Sequence, residues 1–271
     1  WHGITMWKVN EMKTQFNMTL AVDNIIAMRR KAKRNDVAAG VAWYANAYDA
    51  CMAIALRYDV PVHIVVGVVA ALSPNNRWAT NLVNGEAIVR AFLDGDGMDS
   101  VSVCTYTTMK RKAWSILEAM PMRYKSANAD GNNKLYDEVK PILNGKKIVC
   151  FYENIMGDDT CTIDGHARNI AYNERVNLTD NRTNIGVKEY ANLQEAYRQA
   201  AKRCKVDGRQ MKPYELQAIT WVTWRKLHGI AWQSLMYILC NIYTDTLVKY
   251  ILLLRYTRLV RQRTKEFDNA N

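Results

Sequence analysis

The segment CTIDGHARNIAY, residues 161–172, places an aspartate, a glycine and a histidine at the head of an apolar-periodic run. Asp164 and His166 are acid–base groups two positions apart. As an ionised carboxylate, Asp164 could stabilise positive charge developing on a sugar carbon, orient an attacking water, or deprotonate an incoming amine. The same position suits a helix N-cap, whose oxygen accepts the first free backbone N–H groups. His166 has no identifiable Ser or Cys partner, so it reads as a hydrogen-bonding neighbour or as a packed histidine. Asp158 and Asp159 could join the pair as divalent-metal ligands. They follow Gly157 in a turn, however, where Asp is common for local reasons, and no metal site is expected.

Three other stretches carry polar or aromatic groups of interest. In SPNNRW (73–78), Ser73 before Pro74 reads as an N-cap followed by proline at the first helical position. Asn75 and Asn76 then open a helix, as pocket amides or as capping groups, and Arg77 and Trp78 either contact a ligand or pack. In PILNGKK (141–147), a tight turn joins two helices and presents N–H groups at a helix start, which are phosphate-binding groups. Gly145 permits the turn after Asn144, and Lys146 and Lys147 either add charge there or are ordinary solvated lysines. In KPYELQAITWVTWRKLHG (212–229), Trp221, Trp224 and Arg225 share one helix face, with Gln217 one turn earlier. Trp221 is expected in the core. Trp224 and Arg225 stay open between core and a base-stacking role, and Gln217 is a candidate pocket residue.

The elements that must position these groups read as helices throughout. Residues 36–58 are Ala-rich with helical apolar spacing and Asp36 as N-cap. Residues 60–72 form a nearly all-apolar central helix. A helix from Ser73 to about Leu93 stops at DGDG. Amphipathic helices follow at 107–120, on both sides of the LNG turn (131–157), from Asp164 onward, at 187–204, and at 212–229, where Pro213 and Gly229 mark the ends. NLTDNRTNIG (177–186) is a loop. The fold class is all-α.

The chain has 271 residues, 49% of them hydrophobic, enough for a substantial core. Its net charge of +11 favours a polyanionic partner, nucleic acid before membrane. The charge gathers in RRKAKR (29–34), KRK (110–112) and RYTRLVRQR (255–263), each otherwise a solvated face. Six cysteines without C-x-x-C spacing argue against zinc or an iron–sulfur cluster and read as reduced core residues of a cytoplasmic protein. The opening WHGITMWKVNEMK has no apolar signal region, and a start at Trp is expected of a fragment or processed chain. The apolar stretch 230–254 is interrupted by Gln233, Asn241, Asp245 and Lys249, and reads as packing helices rather than a membrane span.

Taken in order, AALSPNNRWATN, PILNGKKIVCFYENI and CTIDGHARNIA resemble the turn, hairpin and catalytic-aspartate segments of the helix-hairpin-helix DNA glycosylase superfamily. The resemblance covers roughly residues 40–230. The chain is most similar to small phage-encoded relatives, on Leu72–Trp78, Leu143–Lys147, Thr162–Ala167 and Gln217–Trp221. That clade is similar to the alpha-glutamyl/putrescinyl thymine pyrophosphorylases and amino acid:DNA transferases, which implies thymine hypermodification in phage DNA. The resemblance implies a two-lobed fold over residues 36–229, between a basic N-terminal segment (1–35) and an apolar then basic tail (230–271). It implies Asp164 as the catalytic residue at the mouth of a cleft between the lobes. His166, Asn75, Asn76, Gln217, Trp224 and Arg225 would support it, with Asn144, Gly145, Lys146, Lys147, Arg77, Trp78 and Arg168 on double-stranded DNA. The expected activity is that of a base-flipping, glycosylase-type enzyme. The alternatives are a transferase acting on a 5-substituted thymine, and a non-catalytic DNA-binding protein. No cofactor, stable membrane association or protein partner is expected, with an ion at the hairpin left open. The sequence departs from the pattern at Lys147, where the second hairpin glycine stands, and at Val149, where bifunctional members carry a Schiff-base lysine.

Overall fold

The computed structural model describes residues 15–120 and 133–230. The expectations for the first fourteen residues, for the tail after 230 and for its basic run at 255–263 lie outside the described residues. Within them the chain is mostly helical: α1 (Met18–Lys31), α2 (Arg34–Tyr58), α3 (Val62–Ala71), α4 (Trp78–Leu93), α5 (Thr107–Glu118), α6 (Asn133–Leu143), α7 (Lys146–Met156), α8 (Gly165–Tyr172), α9 (Val187–Lys202) and α10 (Pro213–Leu227). Short 3-10 turns occupy Met98–Ser100 and Asn181–Thr183. The described residues divide into two buried clusters. The first gathers α2 to α7 around α3, whose residues Val65, Val66, Val68 and Val69 are completely buried. The second gathers α1, α8, α9 and α10, with Ile25, Ile170, Leu193 and Leu216 at its centre. Thus α1, within the segment set apart as residues 1–35, supplies part of this second core.

Helices α2 and α10 run against each other along the boundary. Gly40 makes that contact close: a Cβ there would lie 2.5 Å from the Ile219 Cα. Such a distance leaves no room for any side chain, because the obstacle is backbone. The central helix at 60–72 is borne out as α3, which meets α2 at a bend of 118°. No single helix among the described residues is long and apolar enough to cross a membrane.

Several local expectations are corrected. Asp36 is not the N-cap of α2, which begins at Arg34. Its carboxylate instead accepts from the Lys33 N–H at 2.9 Å and pairs with Lys226 of α10 at 2.8 Å. The helix expected from Ser73 starts only at Trp78. Residues 73–77 form a turn instead, with Asn75 in the left-handed region at φ 54°. The turn is fastened by Thr105 Oγ1 donating to the Pro74 carbonyl at 2.7 Å and by Asn76 donating to the Leu72 carbonyl and to Asn84 Oδ1. Between α9 and α10 the chain makes a small antiparallel hairpin, β1 (Lys205–Val206) and β2 (Arg209–Gln210). Asp207 and Gly208 turn it, both with positive φ, as a two-residue hairpin of this twist requires.

Candidate functional site

Asp164 sits where the two clusters meet. The extended segment before it is held by buried Asn154 and Tyr190 and by half-buried Gln194. Asn154 Oδ1, on α7, accepts from the Thr162 N–H at 3.1 Å and from its hydroxyl at 2.7 Å. Gln194 donates to the Cys161 carbonyl at 2.8 Å, and the Ile163 N–H donates to the Tyr190 hydroxyl at 3.1 Å. An unpaired buried backbone group is costly, so these bonds fix the path of residues 161–163. The carboxylate of Asp164 is then held twice. Oδ1 accepts from the Ala167 N–H at 2.8 Å, capping α8, and Oδ2 accepts from the indole Nε1 of Trp221 at 3.0 Å. Capping and site placement therefore coexist in one residue, one oxygen to each.

The half-buried rings beside it form a continuous set. Trp43 is the hub: its centroid lies 5.3 Å from Trp78, 5.8 Å from Phe151 and 6.0 Å from Trp221. Trp43, Trp78 and Phe151 pack against the first cluster, and Trp221 lies on α10, whose Leu216, Ile219 and Trp224 enter the second. Rings that keep part of their faces open are suited to stacking on a planar partner. Arg225 and His166 lie beside the carboxylate. The Arg225 guanidinium lies 4.4 Å over the Trp221 ring. Its pKa is pushed down by burial and by Arg77, against the opposing pull of Asp164. The His166 ring makes an edge contact with Trp221 at 6.5 Å. Burial pushes its imidazole down, and Arg225 and Lys147 add to this against Asp164, so it is held towards the neutral form.

The expected site residues divide accordingly. Asp164, His166 and Arg225 come together, with Trp78, Arg77 and Lys147 close by. Gln217 is buried and accepts from the Tyr44 hydroxyl at 3.0 Å, tying α10 to α2 below the rings. Asn75 is exposed and donates to the Tyr106 hydroxyl, whereas half-buried Asn76 serves the turn. Asn144, Gly145, Lys146 and Lys147 are all exposed at the tip between α6 and α7. The left-handed residue of this hairpin is Asn144, at φ 39°, not Gly145, whose backbone is extended. Lys112 of the KRK patch donates to the Leu143 and Asn144 carbonyls, so that lysine braces the hairpin.

Two assignments are overturned. Arg168, expected on the binding surface, is not a surface group: its side chain is completely buried, paired with Glu174 at 3.1 Å and Glu189 at 3.3 Å, and stacked 4.1 Å over Tyr172. The two tryptophans of α10 exchange roles. Trp224 is 5% exposed, belongs to the second core and stacks on His228 at 4.0 Å. Trp221, expected in the core, is the indole that holds Asp164. Trp43, Tyr44 and Phe151 were not anticipated at the site. The aromatic clustering of AWYANAY in α2 was the available signal, hidden by its fit to a core-facing stripe.

Among the described residues no group of three or more His, Cys, Asp or Glu side chains gathers as metal ligands would. Comparison with curated proteins and with solved structures finds no match. The match that does exist covers residues 8–228, most of the chain and every residue of this site, and by it the protein belongs to the family of unknown function DUF7178.

Proposed function

We propose that this protein is a DNA base-processing enzyme that draws one base out of the duplex and acts on it with Asp164, as a glycosylase does. The observation that carries the reading is the carboxylate of Asp164. It is held between an N-cap bond and the Trp221 indole, at the edge of four half-buried rings and beside Arg225. A flipped base needs aromatic faces to replace its lost stacking, at a cost of a few kcal/mol. Loss of the base leaves an oxocarbenium-like sugar, which a fixed carboxylate stabilises more than water does because it has no reorganisation to make. The exposed hairpin at Asn144–Lys147 and the net charge of +11 support a phosphate backbone as the anchored part of the substrate.

The test is incubation of the protein with duplexes carrying uracil, damaged bases or 5-substituted thymines, followed by mass analysis of the nucleosides. Abasic sites are expected, and Asp164→Asn, which retains an acceptor for the cap, abolishes them while the protein stays folded. A mass gain on the base without abasic sites replaces this reading with transfer chemistry. Neither product, with DNA affinity unchanged in Asp164→Asn, leaves Asp164 as a cap alone.

A further inference from the structure

A second basic surface lies away from Asp164 and the hairpin. Between residues 198 and 212 the chain carries six basic residues and one acid, Asp207. They fall on the end of α9, on β1 and β2, and at the start of α10, and all six basic side chains are exposed. Three are engaged: Arg198 pairs with Glu195 at 3.3 Å, Arg203 with Asp23 at 3.1 Å, and Arg209 with Glu215 at 2.6 Å. Lys202, Lys205 and Lys212 have no ion pair among the described residues. Lys202 and Lys212, with Arg198 and Gln210, line a groove of about 340 Å³ whose one carboxylate is Asp159. Lys202 and Lys212 act at a distance on Glu195 and Glu215 but pair with neither, and lysines that converge on a concavity without closing an ion pair leave a positive field to be met from solution.

We infer that this groove and the β1–β2 hairpin beside it form a second binding surface for the phosphodiester backbone of nucleic acid. The inference rests on the DNA reading above and extends its footprint. A backbone fits better than a small anion because the cations run beyond the groove, along the hairpin to Lys205. The placement also fits. Pro213, in the groove, and Trp221, at Asp164, lie on one helix eight residues apart, which is about 12 Å along the axis and about 80° around it. That separation is within the span of one duplex, so both are proposed to meet the same nucleic acid. Each lysine that neutralises one phosphate releases counterions and steepens the salt dependence of binding by about 0.9 in the log–log slope.

The test uses the full chain and a short duplex, with affinity measured by fluorescence anisotropy between about 50 and 200 mM salt. The variants are Lys202→Glu/Lys205→Glu/Lys212→Glu and, as the charge-preserving control, arginine at the same three positions. Three lost contacts flatten the slope by about 2.7, so the wild type loses roughly 40-fold more affinity than the glutamate variant over that range. The arginine variant behaves as wild type. Unchanged affinity and slope in a folded glutamate variant overturn this inference and leave the proposed activity standing. Failure of the wild type to bind DNA overturns both. Binding through these lysines to phosphatidylcholine–phosphatidylserine vesicles or to a free mononucleotide, without binding to DNA, overturns the assignment of the partner.

Discussion

Arg168 offers the sharpest test of the structure, because a cation four residues from the aspartate proposed to act on the base invites a different role. Its guanidinium is completely buried and is shared between Glu174 and Glu189, whose side chains are 25% and 12% exposed. Each pair at 3.1–3.3 Å is worth about 5 kcal/mol of attraction at an effective dielectric of 20, most of which is offset by the desolvation of the three charges. The Tyr172 contact adds about 1 kcal/mol. Arg168→Ala removes the cation but not the desolvation. It leaves two carboxylates facing each other across a cavity, which costs about 3–5 kcal/mol. For a chain of this size that is a fall in melting temperature of roughly 10 °C. The assay is a thermal melt followed by circular dichroism, paired with DNA affinity measured well below the melt. The expected result is a large loss of stability with affinity retained. A variant that melts with the wild type but loses DNA binding refutes the burial argument and returns Arg168 to the interface.

Gly40→Ala forces α2 away from the Ile219 backbone and destabilises the protein by about 2 kcal/mol or more, read as a lower urea midpoint. Trp221→Phe keeps the ring but removes the N–H donor to Asp164, costing about 1–2 kcal/mol of stability. Under the proposed activity it lowers kcat for base release more than it raises KM, because an aromatic face remains to stack. His63 and His166 are both pushed below their usual value of 6.5 by burial. Their contribution to stability is therefore full above pH 6.5 and is lost as the pH falls through their folded-state values. Urea midpoints should decline below pH 6.5, and His166→Gln should lessen the decline; a midpoint that rises with acidification contradicts the burial of both rings.

The helices were legible because apolar spacing repeats over ten or more residues in most of them, and the all-α class follows from that alone. What escaped has physical reasons. Ser73–Pro74 matches a helix start, yet the chain is held in a turn by Thr105, 31 residues from Pro74, and by Asn76 donating to Asn84 Oδ1 on α4, neither of which local pattern reveals. The Asp-Gly hairpin at 207–208 carries a strong local signal, but its strands are only two residues long, too short for alternation to register. Trp221 and Trp224 lie about 60° apart on α10, and periodicity cannot say which flank of one stripe borders a seam. The resemblance puts Arg168 among the DNA-binding residues, whereas the carboxylates that bury it stand six and twenty-one residues further on, with no local signal of the pairing. Asp164 stands out in the sequence because its segment is ordered with two others along the chain, whereas its second anchor, the Trp221 indole 57 residues away, carries no local signal.

The buried amide of Asn154 has a consequence for which nucleotide the proposed activity would choose. It joins the Asp164 segment to α7, and α7 begins at the hairpin. From Lys146 to Asn154 the helix advances about 12 Å, a length set by backbone hydrogen bonds and indifferent to surface substitution. If a phosphate is seated at the hairpin, α7 acts as a ruler, and the position presented to Asp164 is counted from that phosphate. One residue inserted into α7 would turn Asn154 by about 100°, release Thr162, and misplace the carboxylate without touching it. Target selection along the strand is then a property of a helix length, separate from whichever chemistry follows at the base.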